Sequence, residues 1–289
     1  MSNQIQQIDF AHPDYPSALK EIADPPPQLF VRGDLAVFKR LAVAIVGSRK
    51  PSEYGMRTAN FLSSQLSQQL TIISGLAYGI DTIALTEAAK SPHGAIAVIG
   101  SGLDRDSFYP SSNWQLAEQI ITAGGAVVSE YPEGTPPLKH HFPARNRIIA
   151  GLSAGVLVVE AGAKSGALIT ADLALDYNRE VWAVAGNIFI PQATGSNQLL
   201  KDGAKFITGA EDILTDLNLV PIGAQVKMPL DLTEPERLII NILKSSPSAL
   251  SVNEMIGQTQ LDTAEISSTL TLMEIKGLVK SATPGKFSC

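Results

Sequence analysis

The 289-residue chain has a single cysteine, Cys289, its last residue. That excludes an intramolecular disulfide and any metal site built from several thiolates. Histidine is also scarce: His12, His93, His140 and His141 are the whole set, and no HExxH spacing occurs. The first ten residues, MSNQIQQIDF, lack a basic segment followed by an apolar run, so no signal peptide is visible. No stretch approaches the ~18 uninterrupted apolar residues of a membrane helix. These absences lead us to expect a soluble, cytoplasmic protein. Cations are outnumbered as well, leaving a formal net charge of −6. A surface that coats nucleic acid everywhere is therefore disfavoured, although local patches decide that question.

What is present points to a globular protein. With 45% apolar and 17% charged residues, the chain can bury a sizeable core, in one large domain or a large one with a small companion. Residues 1–40 form a mixed lead-in expected to pack on the core. Its DPPPQLFVRGDL segment reads as extended, because Pro25, Pro26 and Pro27 remove three successive backbone donors. From Leu41 short apolar runs recur at 41–47, 71–75, 95–102, 126–130, 155–161, 181–186 and 205–208, mostly separated by helical patterns. Near-continuous Val/Ile/Ala runs mark strands buried on both faces, so the expectation for 41–218 is an α/β fold with a doubly wound, mostly parallel sheet. Residues 219–230 break the rhythm and read as a linker. Residues 231–289 then read as three helices and two short strands, the layout of a small winged helix, with Thr233 and Glu236 at capping-box spacing. Five Lys/Arg against seven Asp/Glu there favour a protein-interaction module over a DNA reader.

Open parallel sheets bind ligands at the carboxyl ends of their strands. The first of these ends is GSRKPSEYG: Gly47 permits a tight turn, Ser48 and nearby amides can donate to an anion, and Arg49 can grip a phosphate in two places. Alone, that segment is equally a plain turn with a surface arginine. In SGLAYGID, Asp81 is expected to cap the next helix. GSGLDRDSFYP is glycine-rich, yet Arg105 stands where a dinucleotide fingerprint needs its third glycine, so a nicotinamide or flavin cofactor is not expected. In VVEAGAKSGALITADLA, Lys164, Ser165 and Gly166 head a helix as a further anion cradle, and Glu160 either orients a water or, the favoured reading, accepts from loop amides. Asn197 reads as loop scaffolding, with Lys201 and Lys205 as additional cations.

The densest cluster of positive charge is KHHFPARNR, Lys139 to Arg147, with three permanent cations and no acid. Prolines 136, 137 and 143 stiffen it. Asn146 is expected to cap the helix that follows or a nearby loop, which puts the flanking Arg145 and Arg147 at or near a helix N-terminus that favours anions. Phe142 among cations and prolines is either core or a surface on which a base can stack.

Taken together, GSRKPSEYG, SGLAYGID, GLDRDSFYPSSN, the segment ending FPARNRIIAGLS, EAGAKSGALITADLA and GNIFIPQATGSNQLLKDGA resemble the DNA-processing protein A family (DprA, also called Smf). The resemblance runs from about Tyr15 to Thr215, and the C-terminal segment fits it too. It implies an extended Rossmann-like fold that binds single-stranded DNA without a cofactor, works as a homodimer, protects incoming DNA during natural transformation and helps load the RecA recombinase. By motif, Arg49, Lys139, Phe142, Arg145 and Arg147 would line the DNA groove beside Asn146. Gly47, Ser48, Lys164, Ser165 and Gly166 would complete its phosphate-binding edge. Many relatives carry a helical domain ahead of the core, and with only about 40 residues there its role is expected to be missing.

Two other readings compete. The fold also resembles nucleotide phosphoribohydrolases, whose GGxGTxxE loop carries a catalytic glutamate. Here the glutamate position, four residues after Gly166, holds Thr170, which removes the carboxylate that would stabilise the sugar cation. A transcription factor reading duplex DNA through the winged helix is the second, and the charge count of that segment argues against it.

Overall fold

The structure, a computed structural model, describes residues 4–219, 233–246, 249–259, 261–275, 278–283 and 286–288. The expected linker, apart from Leu219, lies outside them. The chain divides into two compact units, Met1–Val226 and Lys227–Cys289.

The first unit is built on a nine-stranded sheet. Its strands are β1 (Gln6–Asp9), β2 (Gln28–Gly33), β3 (Ala42–Val46), β4 (Thr71–Ser74), β5 (Ala95–Ile99), β6 (Ala126–Ser129), β7 (Gly155–Val158), β8 (Glu180–Ala183) and β9 (Lys205–Phe206), in the order β1-β2-β6-β5-β4-β3-β7-β8-β9. From β6 to β9 every pairing is parallel. The lead-in does more than pack on this core, because β2 joins β6 and β1 joins β2, both antiparallel. The order reverses at β3, which pairs on one side with β4 and on the other with β7, in the register Ala44↔Val156, Ile45↔Leu157 and Val46↔Val158.

Helices cover both faces: α1 (Ser17–Lys20), α2 (Glu53–Leu66), α3 (Ile80–Ala88), α4 (Trp114–Thr122), α5 (His141–Leu152), α6 (Gly166–Asp176), α7 (Thr194–Lys201) and α8 (Ala210–Asp216). Successive strand side chains point to opposite faces, and the AVAIV of β3 shows the consequence. Val43 and Ile45 enter the core with residues of α2, α3, α4 and α8, while Ala42, Ala44 and Val46 enter the core with residues of α5, α6 and α7. The alanines on the second face match a line of small residues on α6, Ala167, Ala171 and Ala174.

The second unit contains α9 (Glu234–Ser245), α10 (Val252–Ile256) and α11 (Thr263–Ile275), with a three-stranded antiparallel sheet of β10 (Leu250–Ser251), β12 (Lys286–Ser288) and β11 (Lys280–Thr283). The Thr233 amide donates to the Glu236 carboxylate at 2.8 Å, the expected capping contact. Ile239, Leu243, Met255, Ile266, Leu270 and Met273 form its core. Strand β10, two residues long, is too short to be legible as a pattern.

Gly155, the first residue of β7, lies so close to the Trp182 indole and the Glu180 carbonyl that a Cβ there would collide with both. Trp182 is fully buried, and its indole N–H donates to Asp216 at 2.7 Å, which leaves the ring no room to withdraw. Gly155→Ala is expected to cost about 1–3 kcal/mol of stability through overpacking. Urea unfolding measures this, and an unchanged midpoint would mean that the strand shifts freely.

Candidate nucleic-acid interface

At the reversal of strand order, the loops after β3 and β7 diverge to opposite faces and leave a crevice at the carboxyl edge. A groove of about 1030 Å³ opens there. Ten of the eleven residues expected at the site line it: Gly47, Ser48 and Arg49 from the β3 loop; Lys139, Phe142, Arg145 and Asn146 from the β6–α5 segment; Lys164, Ser165 and Gly166 from the β7–α6 loop. Arg147 does not.

Local bonding fixes each loop. The Ser48 amide donates to the Glu160 carbonyl at 2.7 Å, which joins the loops after β3 and β7. A Cβ on Gly47 would come 2.7 Å from Ile80 and 2.9 Å from the Glu160 oxygen, so that position has space only for glycine. The Glu160 carboxylate accepts from the Ser52 amide at 2.7 Å and from its hydroxyl at 2.5 Å, the loop-bonding role expected of it. Ser165 is the N-cap of α6, accepting from the Ala167 amide at 3.3 Å. Asn197 accepts from the Gly186 amide and donates to its carbonyl, as scaffolding should.

Helix α5 begins at His141, earlier than expected, so Arg145 and Arg147 stand inside it and not at its N-terminus. Phe142, in its first turn, is half-buried. Its ring centroid lies 5.6 Å from that of Tyr109 and 5.7 Å from the Arg49 guanidinium carbon. Phe142 is thus a surface ring held by a neighbour and a cation, not a core side chain. Asn146 does not cap its own helix; it donates to the Gly166 carbonyl at 3.2 Å, across the groove floor, and so ties α5 to the end of the β7–α6 loop.

Arg145 is 5% exposed and works from beneath the groove. It donates to the carbonyls of Gly75, at 2.7 Å, and Val98, and to the Asn146 side-chain oxygen at 3.3 Å. Asp81, also buried, faces it. The N-cap of α3 is Gly79, so Asp81 does not cap that helix as expected. It accepts instead from the Gly75 and Ala77 amides at 3.1 and 3.4 Å, closing the loop in front. Burial pushes the Asp81 carboxyl up to about 6, against the opposing pull of Arg145, and burial lowers Arg145 to about 10.

The exposed charges that line the groove are Arg49, Lys50, Lys139 and Lys164, all cationic. The chemistry on offer is anion contacts from exposed cations, beside a partly exposed ring.

Comparison with known proteins now decides the family. Residues 6–218 match the model of the DNA recombination-mediator protein A family, and residues 226–285 match the DprA winged helix domain. The chain belongs to the DNA-processing protein A family. It is 45% identical over 202 residues to the DNA processing protein DprA of Streptococcus pneumoniae, covering 70% of this chain and 71% of that one. It is 38% identical over 312 aligned positions to Protein Smf of Synechocystis, covering 94% and 77%. Among solved structures it is similar to the Streptococcus pneumoniae DprA (TM-score 0.69, 42% identity, 74% of each chain). It is also similar to the DNA processing protein A of Helicobacter pylori, described for its single-stranded DNA binding mode (TM-score 0.66, 30% identity, 75% of this chain and 98% of that one).

The groove also includes residues the sequence did not single out: Lys50, Tyr109, Ile169, Pro191 and Gln192. Tyr109 is the penultimate residue of the glycine-rich GSGLDRDSFYP segment, next to the buried Phe108.

Arg147 is where structure and expectation part. Its guanidinium forms a two-pronged pair with Glu130 at 2.6 and 2.8 Å and reaches Asp24 at 3.1 Å, joining α5 to the β6 loop and the lead-in. Lys205 is likewise paired, with Glu180 and Asp216. Arg147→Ala is therefore expected to cost about 1.5–3 kcal/mol of stability while leaving groove ligands bound as before. Thermal melts alongside binding isotherms separate the two effects, and weakened binding at full stability would return Arg147 to the groove.

Asp81 yields a pH prediction. Its ordinary value is 3.8 and its folded value about 6, so between these the native state holds a proton that the unfolded chain has released. Its contribution to stability is present at the low end of that window and is lost as pH rises through about 4 to 6. Urea midpoints across that range should decline in the parent protein and decline less in Asp81→Asn. Equal slopes would exclude Asp81 as the source.

Proposed function

We propose that this protein binds single-stranded DNA in the groove at the β3–β7 reversal and serves DNA recombination, without catalysing a reaction. The observation that carries this reading is the combination of four exposed cations with a partly exposed Phe142 in one open groove. Cations alone suit any polyanion. A ring beside them suits a strand whose bases are unpaired, since base–aromatic stacking contributes about 1–3 kcal/mol per base. The single-strand binding described for the Helicobacter pylori relative supports the same ligand.

In this reading Arg49, Lys139 and Lys164 hold phosphates, Phe142 holds a base, and the Ser165–Gly166 helix start adds amide donors. Arg145 and Asn146 position that surface from below. Recognition by charge and stacking carries little sequence preference. The cellular role that follows from the family resemblance is protection of incoming strands in natural transformation and delivery of them to RecA, by a homodimer.

Thr170 favours binding over hydrolysis. It occupies the place of the phosphoribohydrolase glutamate, is buried, and its hydroxyl faces the Gly166 carbonyl at 3.5 Å. The acids nearest the site, Asp81 and Glu160, are both committed to loop amides.

The test is fluorescence anisotropy with single-stranded and duplex oligonucleotides of equal length. Single strands should bind more tightly, and Arg49→Ala with Phe142→Ala should abolish most of that affinity. With three phosphate-holding cations, log affinity should fall against log salt with a slope of at least about −2, and each cation removed should reduce it by about 0.7. Tighter duplex binding, or single-strand affinity that survives the double substitution, would overturn the reading.

A further inference from the structure

Two neighbouring apolar side chains stand farther out of the surface than any other large ones among the described residues: Phe189, 86% exposed, and Ile188, 81% exposed. Single exposed apolar residues are ordinary on a protein surface. An adjacent pair on a loop with a fixed shape is not.

The loop between β8 and α7 is held at both ends. The Asn187 side-chain oxygen accepts from the Phe189 amide at 2.9 Å, and the Asn187 carbonyl accepts from the Ile190 amide at 3.1 Å. Asn197 clamps Gly186 through both its amide and its carbonyl. The Gly195 and Ser196 amides donate to the Ala161 carbonyl at 2.7 and 3.1 Å, fastening the far end to the loop after β7. Two and three residues beyond Phe189, Pro191 and Gln192 form part of the groove lining. Phe189 thus belongs to the loop after β8 that supplies this part of the groove lining, as Lys164 does from the loop after β7. Phe142 and Tyr109 stand on the side of β3 and β5.

We infer that Phe189, backed by Ile188, is a second base-stacking platform, receiving bases of a single strand that leaves the groove past Lys164. This rests on the groove reading above. It gives the groove two aromatic ends with cations between them, an arrangement that grips a flexible polyanion with unpaired bases and ignores a stacked duplex. A loop braced in this way loses little conformational freedom on binding, which favours the contact. Short strands that fill only the Phe142 side would not reach it.

Anisotropy with oligothymidylates of about 4 and about 16 nucleotides, the span of known single-strand site sizes, tests this with the full chain. Phe189→Ala should weaken the long oligonucleotide by about five-fold or more and leave the short one unchanged. Phe189→Tyr should restore the long-strand affinity, and Phe142→Ala should weaken both lengths. If Phe142→Ala weakens both but Phe189→Ala binds the long strand like the parent, the platform is refuted and the groove stands. If neither substitution matters at either length, the groove reading itself fails. Sedimentation of the same variant adds the remaining case: unchanged DNA affinity with a changed mass would make the Ile188–Phe189 surface a self-association contact and overturn the inference.

Discussion

The site depends on one buried cation. Arg145 reaches the loop after β4 through the Gly75 carbonyl and the end of β5 through the Val98 carbonyl, while Asp81 balances its charge from α3. Its neighbour Asn146 continues the chain of bonds to Gly166 at the head of α6. Helix α5 is thereby pinned over the carboxyl edge at several points, and Phe142, one turn earlier, is fixed where it meets Tyr109 and Arg49. A buried pair of this kind contributes little net stability, but losing one partner strands the other charge. Its consequence here is to hold loops from several strands in one arrangement.

Buried and exposed cations therefore do different work. Arg145 and Arg147 are both committed to protein partners, the first under the groove and the second to Glu130 and Asp24 beside it. In the groove, the exposed Arg49, Lys50, Lys139 and Lys164 are the cations available to solvent and ligand. An acidic protein can hold a polyanion in this way because local patches, not net charge, decide where an anion binds, and the exposed charges lining this cleft are all cationic.

Much of this was legible in the sequence. The apolar runs from Leu41 onward gave the parallel strands because strands buried on both faces leave a continuous pattern, and the strand-end rule brought GSR, KHHFPARNR and AKSG to one edge. The antiparallel β1 and β2 were less visible, since the triple proline and the mixed composition of the lead-in hide a strand pattern. The two arginines of FPARNR could not be told apart in sequence. Their direction depends on where α5 begins, and it begins at His141, so Arg145 turns inward and Arg147 turns toward the lead-in. Asp81 misled for a similar reason: an acid near a helix start usually caps it, but Gly79 takes that position and the carboxylate faces backward. Tyr109 and Phe189 carry no local signal, because only the folded loops place them beside the groove.

The central claim is that a single strand lies in the groove with a base on Phe142. Photocrosslinking of an oligonucleotide carrying 5-iodouracil, followed by mass spectrometry of the conjugated peptides, reads that contact directly. The account predicts conjugates at Phe142 and its neighbour Tyr109. Crosslinks confined to the helices of the second unit, with none on the segment from Lys139 to Arg147, would contradict it.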